Sequence, residues 1–254
     1  MSDPEVPITP LPARPDEGRC YTAERRVRLG DATPDGRCRL DALAHYLQDV
    51  AEDDAAEAGL PDSIGWVLRS TRMVVHRFPR RGEAMALATY CSGMASRWAA
   101  RTTTVTGDGD GLVQATAVWV AVDVRTGTPA RLGGRFAEVY GAAAAGHRAS
   151  ARLVLGPPPP DAVDRARSWP LRASDFDVWG HVNNAVSWVA VEDAADPTRW
   201  RPLAAEVEHP DAIGPETRPV LAVAPGEVGA DVWLLDAEDG HVLSSARLGP
   251  LGRA

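Results

Sequence analysis

Long apolar runs are missing from this chain. No stretch approaches the roughly 20 consecutive apolar residues that cross a bilayer, so no membrane-spanning helix is expected and the protein should be soluble. Cysteine is scarce. Cys20, Cys38 and Cys91 are odd in number and show no CxxC spacing, which argues against a disulfide framework and a cysteine zinc site and leaves free thiols as the expected state. Cations are outnumbered, with 27 Lys and Arg against 35 Asp and Glu for a net charge of -8. Phosphate neutralisation needs clustered Lys and Arg, so a general nucleic-acid binder is excluded. Metal-ligand spacing is also lacking: His45, His76, His147, His209 and His241 are expected to be structural or surface residues. The opening MSDPEVPITPLPARPDEG has neither the cationic start nor the apolar centre of a secretory signal. Residues 1–19 read as a flexible lead-in, and a cytoplasmic location is expected.

What is present is enough chain for two cores. At 254 residues, with 44% apolar and 24% charged residues, the composition is that of an ordinary globular protein. Leu40, Leu43, Leu47, Val50 and Ala51 recur at spacings of three and four, which predicts a helix, with Gly59 and Pro61 as its stop. Strand-like segments follow at GWVLRSTRMVVHRF, AMALATYC, RWAARTTTVT and LVQATAVWVAVD, divided by short turns, as in an antiparallel sheet. The helix needs that sheet to cover its apolar face. After Tyr140 the pattern fades into GPPPPD, read as an extended linker over about residues 141–163. Helix and strands then recur, with a helix from about Asn183 to Ala195 and four strands between Leu203 and Arg247. An α+β architecture of two similar units is therefore expected, 20–140 and 164–254.

The stretch DFDVWGHVNNAVSW, from Asp175 to Trp188, places two acids, a His and paired Asn before an apolar helix. Taken singly these are residues of any capped turn, and Asn183 and Asn184 read as holding the turn through side-chain to backbone bonds. Taken together they resemble the D-x-D-x-x-G-H-V-N-N-x-x-Y signature of hotdog-fold thioesterases, including 4-hydroxybenzoyl-CoA thioesterase-like proteins. The first half resembles the N-terminal domain of plant and bacterial acyl-ACP thioesterases through LQDVAEDDAAEAGLPDSIGWVLRSTRMVVHRFPRRGE, RWAARTTTV and ATAVWVAVDVRTGTPARL. The order of the two matches is that of the tandem double-hotdog family.

That resemblance implies two hotdog domains, each a long helix wrapped by a curved antiparallel sheet. The first would form the acyl pocket and the second would carry the chemistry. It implies Asp177 as the catalytic carboxylate, as nucleophile or as base for water, His181 as the group that positions the attack, and Asp211 as a third member. Backbone N–H groups around Gly180 to Asn184 are expected to be free for a thioester oxygen as charge develops on it. Trp179, Gly180, Val182, Asn183 and Trp66 complete the substrate-facing set, Gly180 because a residue without a side chain admits a close approach. The sequence departs from the family at Trp179, where acyl-ACP thioesterases carry Asn, and at Ser187, where the signature has Tyr. The implied reaction releases a fatty acid from acyl-acyl carrier protein without metal or redox cofactor. An acyl-CoA thioesterase, or a weakened acyl-binding hotdog protein, are the alternatives. The carrier's phosphopantetheine arm would favour a local positive field, for which Arg69, Arg72, Arg77, Arg80 and Arg81 are candidates beside the reading of a solvated strand face. Hotdog units pair helix to helix, so the halves are expected to form a pseudo-dimer, with a homodimer of chains possible.

Overall fold

The computed structural model describes residues 14–61, 63–226 and 229–251, and divides into two compact units that meet in sequence between Arg152 and Leu153. The boundary falls inside the expected linker, about residues 141–163, but that stretch is not one free spacer. On the first-unit side, His147 O accepts the Met94 N–H and Ala149 O accepts the Trp98 indole N–H. On the second-unit side, the buried Glu208 carboxylate accepts the Val154 and Leu155 N–H groups at 2.6 and 3.1 Å. Pro160, the last of the four prolines, begins a short helix, where its fixed φ and missing N–H suit the first turn.

In the first unit, β1 (Cys20–Arg26), α1 (Leu40–Glu57), β2 (Ile64–Arg77), β3 (Ala84–Met94), β4 (Trp98–Gly107), β5 (Leu112–Asp123) and α2 (Gly134–Ala144) follow in order. The strands form an antiparallel sheet ordered β1-β3-β4-β5-β2. Helix α1 buries Leu40, Leu43, Leu47 and Val50, the face read from the spacing, and packs on β1 and β3. Gly59, at φ 62°, lies just beyond its end in the left-handed conformation that stops the ladder. Strand β1 and helix α2 have no counterpart in the sequence reading. The Ala-rich run that hid α2 is helical because Phe136, Tyr140 and Ala144 lie one turn apart and share a buried cluster with Cys91 and Ala99.

Helix α1 is fastened at its C-terminal end by a buried ion network. The fully buried Asp54 takes Arg19 Nε at 2.6 Å on one oxygen, and Arg101 Nη1 at 2.6 Å with the Tyr140 hydroxyl at 2.9 Å on the other. Burial pushes the Tyr140 hydroxyl up to about 12, so it remains a donor to Asp54 across the neutral range. Residues 1–13 of the expected flexible lead-in lie outside the described residues, whereas Arg19 at its end is anchored through this network. Gly18 sits so close to α2 that a Cβ there would fall 2.3 Å from the Ala143 nitrogen.

The second unit repeats the plan with shorter parts. A short helix α3 (Pro160–Asp164) and β6 (Arg167–Ser168) precede α4 (Val186–Ala194), then β7 (Leu203–Glu208), β8 (Pro219–Pro225), β9 (Ala230–Asp236) and β10 (Val242–Pro250). Its antiparallel sheet is ordered β7-β10-β9-β8-β6. Helix α4 packs against β8 and β9 and buries Val186, Trp188, Ala190 and Val191. It starts at Val186 rather than at the expected Asn183, because the Asn183 side chain accepts the Ala185 N–H and holds those residues in a turn. Among the described residues no helix is long and apolar enough to cross a membrane.

Replacing Asp54 by Ala would leave the Arg101 guanidinium without its carboxylate and Arg19 with the exposed Glu57 alone. The expected loss is about 3–5 kcal/mol, read as a lower urea midpoint; an unchanged midpoint would show the network to be dispensable.

Candidate functional site

The motif is one tight reversal between a single turn of 3-10 helix and α4. Asp175 closes the turn at Ala173–Asp175, its carboxylate accepting the Arg172 N–H at 2.7 Å. Phe176 and Val182 then pair as an isolated bridge, and the chain reverses between them. Asp177 N–H donates to His181 O at 2.8 Å, and Gly180 N–H returns to Asp177 O at 3.1 Å. Gly180 adopts φ 75°, and open space surrounds the position of its missing Cβ. Glycine is needed here for backbone conformation rather than for room.

Asp177 stands half-buried at the start of this reversal. Its Oδ1 accepts the N–H groups of Trp179 at 2.9 Å and His181 at 3.3 Å, the local side-chain to backbone pattern that Asp favours in turns. Its Oδ2 has no hydrogen-bond partner among the described residues, and neither does the exposed His181 ring. The turn thus orients a carboxylate with one oxygen and leaves the other open, with an uncommitted imidazole four residues on.

The expected row of free N–H donors from Gly180 to Asn184 is a correction. Gly180 N–H goes to Asp177 O, His181 N–H to Asp177 Oδ1, Val182 N–H to Ile213 O at 2.9 Å and Asn183 N–H to Asp175 O at 2.8 Å. Only the Asn184 N–H lacks an acceptor among the described residues. A reversal this tight satisfies most of its own donors before the helix begins.

The remaining sequence-derived residues lie as follows. Asn183 acts as a turn-holder, through Ala185 N–H at 2.9 Å. Val182 is buried and Ser187, in the signature's Tyr position, is buried within α4. Asp211 lies beyond β7 with Oδ2 2.8 Å from His241 Nε2, both side chains more than half exposed. Among the described residues no hydrogen bond or ion pair joins Asp211 to Asp177 or His181, although Val182 N–H to Ile213 O fastens its segment to the motif. Trp66 belongs to the first unit. It packs on Phe136 with ring centroids 5.4 Å apart and lines a cavity of about 240 Å³ with Leu60, Ile64, Leu132 and Phe136. The arginine group is dispersed in its contacts: Arg77 pairs with Asp110, Arg80 donates to Asp35 O, and Arg69 reaches Ala151 O.

The sequence reading missed that this loop is built twice. In the first unit a 3-10 turn at Leu29–Asp31 precedes an Ala32 to Cys38 bridge. Arg28 N–H meets the Asp31 carboxylate at 2.7 Å, Thr33 N–H donates to Arg37 O at 2.8 Å, Gly36 N–H to Thr33 O at 2.8 Å and Arg39 N–H to Asp31 O at 2.8 Å. Gly36 has φ 85°. Each bond has its counterpart at Arg172, Asp177, Gly180 and Asn183. Only the Asp and the Gly of LGDATPDGRC recur in place in ASDFDVWGHV, too faint a signal without the hydrogen bonds. The side chains differ: Thr33 stands for Asp177, Asp35 for Trp179, and the buried Arg37, over the Phe78 ring at 5.0 Å, for the exposed His181. A hydrogen bond from Thr33 holds the Asp35 carboxyl below its ordinary range.

Because both glycines occupy the left-handed region in open space, Gly36→Ala and Gly180→Ala should each cost about 1–2 kcal/mol. Urea unfolding of the two variants checks this, and a cost at one position alone would refute the equivalence of the loops.

Residues 18–140 match the family model for the acyl-ACP thioesterase N-terminal domain. The chain is 28% identical over 206 residues to an uncharacterized protein of Mycobacterium tuberculosis, covering 80% of this chain and 82% of that one. Among solved structures it is similar to the 12:0-ACP thioesterase from Umbellularia californica, with a TM-score of 0.71, 20% identity and 90% and 92% of the two chains covered. It is also similar to an acyl-ACP thioesterase from Bacteroides thetaiotaomicron, with a TM-score of 0.70, 17% identity and 90% and 96% covered. The expected tandem hotdog fold is met, and the first unit matches the acyl-ACP thioesterase N-terminal domain model over residues 18–140.

Proposed function

We propose that the chain hydrolyses acyl thioesters, with acyl-acyl carrier protein as the substrate and Asp177 and His181 as its reactive groups. The observation that carries this is the duplicated loop. Its scaffold is the same in both units, so the turn itself requires neither an Asp at 177 nor a His at 181, and only the second copy combines an open carboxylate oxygen with an uncommitted imidazole. The family match over residues 18–140 supports the choice of a carrier-protein thioester.

In this reading the thioester carbonyl sits over the turn. Asp177 Oδ2 attacks it, or takes a proton from the attacking water; both routes need an oxygen not engaged in the turn. His181 orients that water and supplies a proton to the departing sulfur. The Asn184 N–H, the donor left open at the start of α4, meets the negative charge on the carbonyl oxygen. Water and thioester give a carboxylic acid and a thiol, with no other reactant.

Thiol release from acyl-ACPs and acyl-CoAs of several chain lengths tests the reading. Asp177→Asn, which keeps the shape of the side chain, should lower the rate at least about a hundredfold, while Thr33→Ala at the matching place in the first loop should stay within about twofold of the unaltered protein. No hydrolysis of either carrier would replace the enzyme by an acyl-binding protein, and hydrolysis by Asp177→Asn at the full rate would remove Asp177 from the mechanism.

A further inference from the structure

The tip of the motif turn is apolar and has no structural reason to be so. Val178 is 95% exposed and Trp179 70% exposed. In the first unit Pro34 and Asp35 occupy these two positions on the same hydrogen-bonded scaffold, so the turn forms with a charged residue in place of the indole. The Trp179 backbone is fixed by its N–H bond to Asp177 Oδ1, while the indole makes no ring contact and no hydrogen bond among the described residues. Apolar surface held in water is unfavourable in proportion to its area. An indole anchored through its own backbone two residues from an open carboxylate is a binding face awaiting an occupant.

The chemistry of a thioester indicates what that occupant is. One side of the reacting carbonyl is an apolar acyl chain, which gains by leaving water. The other side is a sulfur whose arm must run outward through solvent to its carrier. A face that stands in solvent next to the carboxylate belongs to the outgoing side.

We infer that Trp179, flanked by Val178, grips the pantetheine-type arm of the substrate. Such an arm alternates amide groups with short methylene spacers. The indole offers its apolar face to the spacers and its Nε1–H to an amide carbonyl, a combination that suits Trp where one side of the ligand is apolar and the other polar. The same arm joins an acyl group to carrier protein and to CoA, so the contact raises affinity for both without choosing between them. This rests on the hydrolase reading above, and it assigns a role to the residue at which the sequence departs from the family's Asn.

The test compares one acyl group on four leaving thiols: an S-ethyl thioester, which lacks the arm, then acyl-pantetheine, acyl-CoA and acyl-ACP. Trp179→Ala should raise KM about tenfold for the three arm-bearing substrates, with a smaller change in kcat and a much smaller change in kcat/KM for the S-ethyl thioester. Trp179→Phe should recover most of the affinity. Trp179→Asp, which installs the residue of the first loop and so remains compatible with the fold, should not; urea midpoints verify that both fold. An equal loss on the S-ethyl thioester would place Trp179 on the acyl side, and a loss confined to acyl-ACP or to acyl-CoA would make it a contact to the carrier protein or to the nucleotide. A change in molecular mass in solution for Trp179→Asp would make the tip a contact between chains. Each of these overturns the inference, as does an unchanged KM in Trp179→Ala. If the unaltered protein hydrolyses none of the four, the hydrolase reading itself fails, whereas turnover that ignores Trp179 removes only the arm contact.

Discussion

The constraint on which this molecule depends is the need of a tight chain reversal to satisfy its own backbone donors before a helix begins. In both units the solution is an Asp whose carboxylate takes an N–H three residues back, a narrow pair of backbone bonds, and a glycine at positive φ. The same bonds form around different side chains at the other positions of the two loops. Those positions are therefore open to chemistry.

The two copies use that freedom differently. In the first, Arg37 folds inward over Phe78 and Asp35 bonds with Thr33, and the turn is closed upon itself. In the second, Asp177 is oriented by two backbone N–H groups through one oxygen, and its other oxygen, the His181 ring and the Trp179 indole have no hydrogen-bond partner among the described residues. The helices differ in consequence. Asn183 holds the Ala185 N–H and delays α4, whereas Arg39 pairs its side chain with Asp41 and lets α1 begin at Leu40.

Buried carboxylates secure the scaffold around these loops. Asp54 joins α1 to the start of β1, to β4 and to α2 within the first unit, and Glu208 holds residues 154 and 155 against β7 in the second. Each has its charge met by several donors, the condition under which a charge can stand inside a protein. The long loop from β5 to the second unit can thus be poor in apolar pattern and still be ordered.

The periodicity of Leu40, Leu43, Leu47 and Val50, the strand runs from β2 to β5, and the helix stop at Gly59 were legible in the sequence because they rest on local spacing and local conformational preference. So was the grouping of Asp177 and His181, which lie four residues apart and are held by one turn. Helix α2 was not, since an Ala-rich run shows no clear face until Phe136 and Tyr140 find Cys91 and Ala99. Nor was the use of the N–H groups after Gly180, because their acceptors include Ile213, more than thirty residues away. The partner of Asp211 and the repetition of the loop at Thr33 likewise depend on which distant atoms meet. The sequence by itself determined the elements with a clear periodicity and set Asp177 and His181 four residues apart; only the tertiary structure decided which of their polar atoms are already satisfied, because that depends on how the turn closes and on which distant chain, such as Ile213, meets it.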